Sequence, residues 1–215
     1  PKITVIESAA QFEQWVEAHR HEINVPDDIV DFPVSDYSNE AERHIMCGDA
    51  VGHAWTVTAW GDARPGRAHV QACAVATASS AAIIEAPMAS SVQTALDRFL
   101  KAEHFRTIVH GYKELLHLLS AAGLGMALPM FDTKLGGYLA QPDFHADNLN
   151  QAAEHFLDIH VVDAEQPAQG VLDFDDEHTE EDLNERRVHD LAVIRELAVT
   201  LGPVIDERRQ YWLMR

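Results

Sequence analysis

The sequence is poor in basic residues and in cysteine. Its 215 residues include 16 Lys and Arg against 35 Asp and Glu, which gives a formal net charge of −19. Because nucleic-acid affinity depends mostly on neutralising phosphates with Lys and Arg, this balance argues against a domain that binds DNA tightly by itself. The two cysteines, Cys47 and Cys73, have neither the spacing of a metal-binding pair nor the number of a disulfide framework, which fits a reducing cytoplasm.

Long apolar runs and the common catalytic signatures are also missing. The longest uncharged stretch, residues 69–84, is rich in Ala, Ser and Thr and predicts paired strands rather than a membrane span, so no membrane partner is expected. There is no P-loop, no G-x-S-x-G nucleophile elbow and no H-E-x-x-H helix motif. What remains is a composition of 47% hydrophobic and 24% charged residues, which is typical of one α/β domain spanning residues 1–215.

Two segments have loop-like compositions. Residues 24–48 contain several Pro and Asp residues without periodicity, and they predict an insertion. Ten acidic residues and no Lys or Arg lie between Asp163 and Glu185, so this segment carries more than half of the excess negative charge. Its composition predicts a solvated acidic loop over about 163–185.

The other segments alternate between strand and helix patterns. Three strand candidates, residues 53–60, 68–77 and 80–85, predict an antiparallel meander, with a turn at Gly61-Asp62. Ser90 or Ser91 is a candidate cap for the helix that follows. A helical period then runs from Leu183 to Trp212, with a break expected at Gly202-Pro203. Between the helix near Ser90 and the helix from Leu183, the pattern predicts a short strand at 107–109 and helices at 113–122, 133–140 and 148–157.

The most specific pattern lies between Arg106 and Asp158. Its elements, in order, are Val109-His110, Lys113, Leu115-Leu116, Gly123, Phe131-Asp132-Thr133, Tyr138-Leu139 and Pro142. In order and spacing they resemble the 3′–5′ exonuclease-like domain of bacterial DNA polymerase I, a family A polymerase. The resemblance implies an α/β fold with a ribonuclease-H-like mixed sheet, made of an antiparallel meander plus α/β units and flanked by helices. It also implies a downstream polymerase module in cis, with DNA as the partner of that module and Mg²⁺ expected only there.

The same resemblance indicates which catalytic acids are missing. Active members of this superfamily hold two divalent metals with acidic residues from three motifs. The positions of these motifs fall on Thr56 and Thr58, on Gly111 and Leu115, and on Arg186 and Asp190. Since a two-metal hydrolase needs several carboxylate oxygens to hold its cations, a single surviving aspartate is not enough. The sequence therefore predicts a vestigial exonuclease domain, with no catalytic residues and no resident metal or cofactor.

Two alternatives stay open. The first is a working DEDD-type exonuclease that has recruited substitute ligands such as Asp49, Asp62, Asp132 or Glu114. Asp132 precedes the helix at Thr133, however, and its position also predicts an N-cap. The second alternative is an acidic module that contacts another protein through residues 163–185.

Overall fold

One mixed sheet of six strands forms the centre of the protein. The computed structural model describes residues 1–25, 50–64, 66–159 and 180–207. The spatial order of the strands is β1-β4-β3-β2-β5-β6. In chain order they are Lys2–Val5 (β1), Trp55–Asp62 (β2), His69–Ala76 (β3), Ser80–Glu85 (β4), Thr107–Val109 (β5) and Phe131–Asp132 (β6).

The sheet combines an antiparallel meander with parallel additions at both sides. Strands β2, β3 and β4 pair antiparallel, as the sequence predicted. Strand β1 pairs parallel with β4, β5 pairs parallel with β2, and β6 pairs parallel with β5. The predicted architecture, an α/β mixed sheet made of an antiparallel meander plus α/β units and flanked by helices, is confirmed.

Six α-helices flank the sheet within the described residues. They are Ala9–His19 (α1), Ser90–Ala102 (α2), Tyr112–Ala121 (α3), Thr133–Ala140 (α4), Leu149–Leu157 (α5) and Glu180–Glu207 (α6). None of these helices is long and apolar enough to cross a membrane.

The two faces of the sheet carry separate hydrophobic cores. Because successive side chains of a strand alternate between faces, Trp55 and Val57 of β2 point to the side of α1, α2 and α3. On the opposite face, Trp60 packs with small residues of β3 and with Val188 and Leu191 of α6. Helices α4 and α5 extend this second layer around Phe131 and the C-terminal half of α6. The carboxyl ends of β2 and β5 thus lie between two helical layers.

Three local expectations were wrong. Helix α6 continues through Gly202 and Pro203, because burial of Leu201 and Ile205 holds this turn against the core although Pro203 has no N–H to donate. Helix α2 begins at Ser90 itself, and its N-cap, Ala89, makes no side-chain hydrogen bond. The third expectation was a turn at Gly61-Asp62, and it was wrong because this segment pairs with strand β3.

The predicted turn at Gly61-Asp62 belongs to strand β2. The strand runs to Asp62, with a shift in its register against β3 between Trp60 and Gly61. Gly61 has a φ of +145°, and a Cβ there would lie 2.1 Å from the carbonyl oxygen of His69. Only glycine fits this irregularity, so the residue that suggested a turn permits a bulge instead.

The two predicted loops fall largely outside the described residues. Of the predicted insertion at 24–48, the structure describes only residues 24 and 25. Of the predicted acidic loop at 163–185, it describes only the last part. Residues 180–185, the last part of the predicted acidic loop, form the first turns of α6.

Candidate functional site

Thr56 and Thr58 lie on the face of β2 that α6 covers. They share this face with Ala54 and Trp60, whose side chains pack into the cores on the α6 side. Thr56 is fully buried, and its hydroxyl has no hydrogen-bond partner among the described residues. Thr58 is partly exposed. Neither side chain supplies the anionic oxygen that a divalent cation prefers.

Asp190, which the resemblance aligns with the third motif, accepts a hydrogen bond from a tryptophan of strand β2. Its Oδ2 lies 3.0 Å from the indole Nε1 of Trp60, and the residue is 8% exposed. Trp60 is two positions beyond Thr58 on the same face of β2. The structure therefore brings Asp190 to the strand that carries both threonines, but one of its oxygens is already occupied by a buried donor.

A buried arginine completes this cluster. The guanidinium of Arg187 lies 5.3 Å from the ring centroid of Trp60, in cation–π geometry. Its Nη1 donates to Glu85 Oε1 at 2.5 Å and to Asn184 Oδ1 at 3.4 Å. Arg187 is 2% exposed, so a permanent positive charge is held inside the protein beside the indole that binds Asp190.

Arg187, Trp60 and Glu85 belong to none of the predicted site positions. The neighbouring Arg186, which the resemblance aligns with the third motif, is partly exposed. Two spacings could have indicated Arg187 and Trp60. Arg187 is three residues before Asp190 on one helix face, and Trp60 is two residues after Thr58 on one strand face.

The two residues that the resemblance aligns with the second motif do not join this cluster. Gly111 has a φ of +70° and forms the N-cap of α3, a backbone conformation that favours glycine. Leu115 is 4% exposed and packs in the core on the other face of the sheet, with Trp55 and Val57. The structure therefore does not bring Leu115 to Thr56, Thr58 and Asp190.

Asp132 joins the N-termini of two helices. Its Oδ1 accepts from the backbone N–H groups of Lys134 in α4 and of Gly111, both at 2.9 Å. Its Oδ2 accepts from the backbone N–H of Tyr112, the first residue of α3, also at 2.9 Å. The predicted N-cap is confirmed, and the same carboxylate also satisfies donors at the start of α3.

Two of the remaining candidates for substitute metal ligands, Asp62 and Glu114, are paired with basic side chains. Arg64 Nε donates to both carboxylate oxygens of Asp62 at 2.8 Å, and these bonds hold the pKa of Asp62 below its usual range. Lys134 Nζ donates to Glu114 Oε1 at 3.0 Å. Asp49 lies outside the described residues. Within the described ranges, no group of three His, Cys, Asp or Glu side chains is placed to hold a metal ion.

His110 is a half-buried group near these helix ends. Its Nδ1 lies 2.8 Å from Thr133 Oγ1, and that hydroxyl donates to the carbonyl of Val109 at 3.2 Å. Because the hydroxyl proton is used in this way, Nδ1 carries the proton of the imidazole. Burial lowers the pKa of His110 to about 4. The ring is therefore neutral at physiological pH, and it links β5 to the first turn of α4.

Comparison with solved structures identifies the fold. The POL domain of Pol1 from M. smegmatis, in a complex with DNA primer-template and dNTP, matches with a TM-score of 0.58 and 17% identity over 75% of this chain. The present chain spans 25% of the length of that polymerase chain. Brucella melitensis NrnC bound to pGG matches with a TM-score of 0.55 and 18% identity over 75% of this chain and 77% of that chain.

A third structure has a similar fold. The catalytic core of RRP6 from Trypanosoma brucei matches with a TM-score of 0.53 and 16% identity, and the match covers 98% of this chain and 52% of that chain. No protein-family model matches the sequence, and the search of curated proteins finds no match. At these identities the likeness concerns the fold alone, and it confirms the predicted ribonuclease-H-like fold class.

Proposed function

We propose that this chain is a vestigial 3′–5′ exonuclease domain of a bacterial DNA polymerase I and that its role is structural. The observation that carries the proposal is the chemistry around Asp190. At the positions aligned with the first motif, threonines replace both acids, and the surviving aspartate accepts the indole N–H of Trp60. These residues do not fit a two-metal centre.

The buried charge of Arg187 supports the same conclusion. Active two-metal sites gather carboxylates so that their negative charge offsets two divalent cations. Here a guanidinium lies against the indole that binds Asp190, and its ion pair with Glu85 engages another carboxylate that could otherwise face a metal ion. An indole and a guanidinium also fill space beside the positions that correspond to the ligands.

The polymerase assignment has separate support. The motifs between Arg106 and Asp158 follow the order of the polymerase I exonuclease-like domain, and the Pol1 structure is among the fold neighbours. In this proposal a polymerase module follows in the same polypeptide, binds DNA and uses Mg²⁺. The net charge of −19 fits a cytoplasmic domain that reaches DNA only through that module.

A nuclease assay tests the proposal. The substrate is single-stranded DNA labelled at its 3′ end, incubated with Mg²⁺ or Mn²⁺. Without paired metals both water activation and leaving-group stabilisation are lost, each worth several kcal/mol, so we expect no release of mononucleotides above background. The matched control is Asp190→Asn, which keeps the shape of the side chain and reveals contaminating nuclease.

The working-exonuclease alternative predicts a different result. Metal-dependent release of mononucleotides by the wild type, abolished by Asp190→Asn, would establish it and overturn the vestigial proposal. Asp62, Asp132 and Glu114 would then have to exchange their present partners for metal ions. Equal background in both proteins supports the structural role. The other alternative, binding through the acidic segment 163–185, concerns residues largely outside the described ranges.

A further inference from the structure

An open cleft lies between the N-terminal turns of α3, helix α4 and helix α5. Its volume is about 420 Å³, within the range of sites that enclose a small molecule or a protein side chain. It is distinct from the Thr56–Asp190 region, whose residues do not line it. The apolar part of its wall consists of Leu135, Tyr138, Phe144, Ala146, Ala152 and Phe156.

Two ring pairs form one edge of this cleft. Tyr138 is 46% exposed, and its ring stacks against His145 with centroids 5.4 Å apart. Phe144 stacks against His155 with centroids 3.7 Å apart and meets Phe156 edge to face. Stacking holds these rings in place in the free protein, so a ligand does not have to order them when it binds. Rigid, half-exposed aromatic rings around an apolar cavity are typical of sites that receive an anchor side chain.

The charges around the cleft favour a cationic partner. Among its lining residues, Lys134 is paired with Glu114, and Asp132 is bound by three backbone N–H groups. The exposed residues Asp143 and Asp147 flank the lining stretch 144–146 on both sides.

The basic residues of the lining add little opposing charge. Lys113 is the lining cation that makes no ion pair or hydrogen bond with another described residue. The exposed carboxylates of Asp143 and Asp147, against this one lysine, attract basic residues and disfavour a polyanion.

We propose that this cleft binds an apolar anchor side chain, aromatic or large aliphatic, presented by a basic segment of a partner protein. The anchor enters between Tyr138, Phe144 and Phe156, and its flanking Lys or Arg residues lie against Asp143 and Asp147. A flanking Lys or Arg also stacks on the exposed face of Tyr138, a cation–π contact. This binding site does not depend on whether the domain has nuclease activity.

The test measures binding of short blocked peptides by NMR, following the backbone amide signals of the full 215-residue protein. The probe is a pentapeptide with a central phenylalanine and two lysines on each side. One comparison peptide replaces the phenylalanine with alanine, and another replaces the lysines with glutamates. We expect the probe to shift signals of residues 134–138 and 144–156 and to bind at least about fivefold more tightly than either comparison peptide.

Variants of the protein locate the site. Tyr138→Ala, and the double variant Asp143→Asn with Asp147→Asn, should each weaken binding of the probe about fivefold or more. The matched control is Leu128→Ala, because Leu128 is also exposed, at 47%, and does not line the cleft. Unchanged signals at millimolar probe, equal affinity for the three peptides, or equal effects of Tyr138→Ala and Leu128→Ala would overturn the proposal. Tighter binding of single-stranded oligothymidylate to the same residues would overturn it in favour of a nucleic-acid site.

Discussion

Removing the second carboxylate oxygen of Asp132 should destabilise the protein markedly. In Asp132→Asn one oxygen remains for the N–H groups of Gly111 and Lys134, but an amide NH₂ then faces the N–H of Tyr112. The variant loses one charge-assisted hydrogen bond outright and weakens two others. Hydrogen bonds to charged groups contribute about 1.5–3 kcal/mol each, and a lost helix cap costs about 1 kcal/mol. We expect the free energy of unfolding to fall by about 2–3 kcal/mol.

Thermal and urea denaturation followed by circular dichroism measure this loss. For a chain of this size, about 1 kcal/mol corresponds to a shift in Tm of about 2–4 °C, so Tm should fall by roughly 4–12 °C. Asp143→Asn is the matched control, since Asp143 is exposed and does not cap a helix. Its Tm should stay within about 2 °C of the wild type.

The same experiment separates a cap from a metal ligand. If Asp132 acts only as a cap, the loss of stability is the same in EDTA, Mg²⁺ and Mn²⁺. A loss of less than about 0.5 kcal/mol would refute the capping argument. A loss that appears only when a divalent cation is present would instead identify Asp132 as a substitute ligand.

Three further predictions follow from the buried polar groups. Thr56→Val should leave the fold intact and raise the free energy of unfolding, measured by urea denaturation, by about 1 kcal/mol. The reason is that it removes a buried hydroxyl that has no hydrogen-bond partner among the described residues. A loss of stability would contradict this prediction. Arg187→Met should lower the free energy of unfolding by about 1–2 kcal/mol, because it removes the contacts with Glu85 and Trp60. The loss should be larger than that in Arg187→Lys, and equal losses would count against the cation–π contact. His110 has a pKa of about 4 in the folded protein, below that of an unfolded histidine, so its contribution is complete above about pH 6.5 and is lost as pH falls toward 4. Urea midpoints should therefore fall more steeply over this range in the wild type than in His110→Gln, and parallel curves would contradict the assignment.

Local patterns in the sequence predicted much of the fold. Strand β4 and helix α4 have the bounds that alternation, capping and turn residues indicated, residues 80–85 and 133–140. The spacing of two between Thr56 and Thr58 placed them on one face before any packing was known. The N-cap role of Asp132 followed from its position before Thr133. These features depend on neighbours within a few residues, and so they can be read from the chain itself.

Contacts between distant residues decided the rest. Asp190 meets Trp60 across 130 residues of sequence, and Arg187 meets Glu85 across 102. Burial against the sheet carried α6 through Pro203, and packing of α3 directed Leu115 into the core on the face opposite Thr56 and Thr58. The sequence by itself determined which acids the aligned motif positions lack. Only the tertiary structure decided that Asp190 binds the indole of Trp60 and that Arg187 lies against the same indole and pairs with Glu85, because these residues belong to β2, β4 and α6, which meet only when the sheet and α6 pack together.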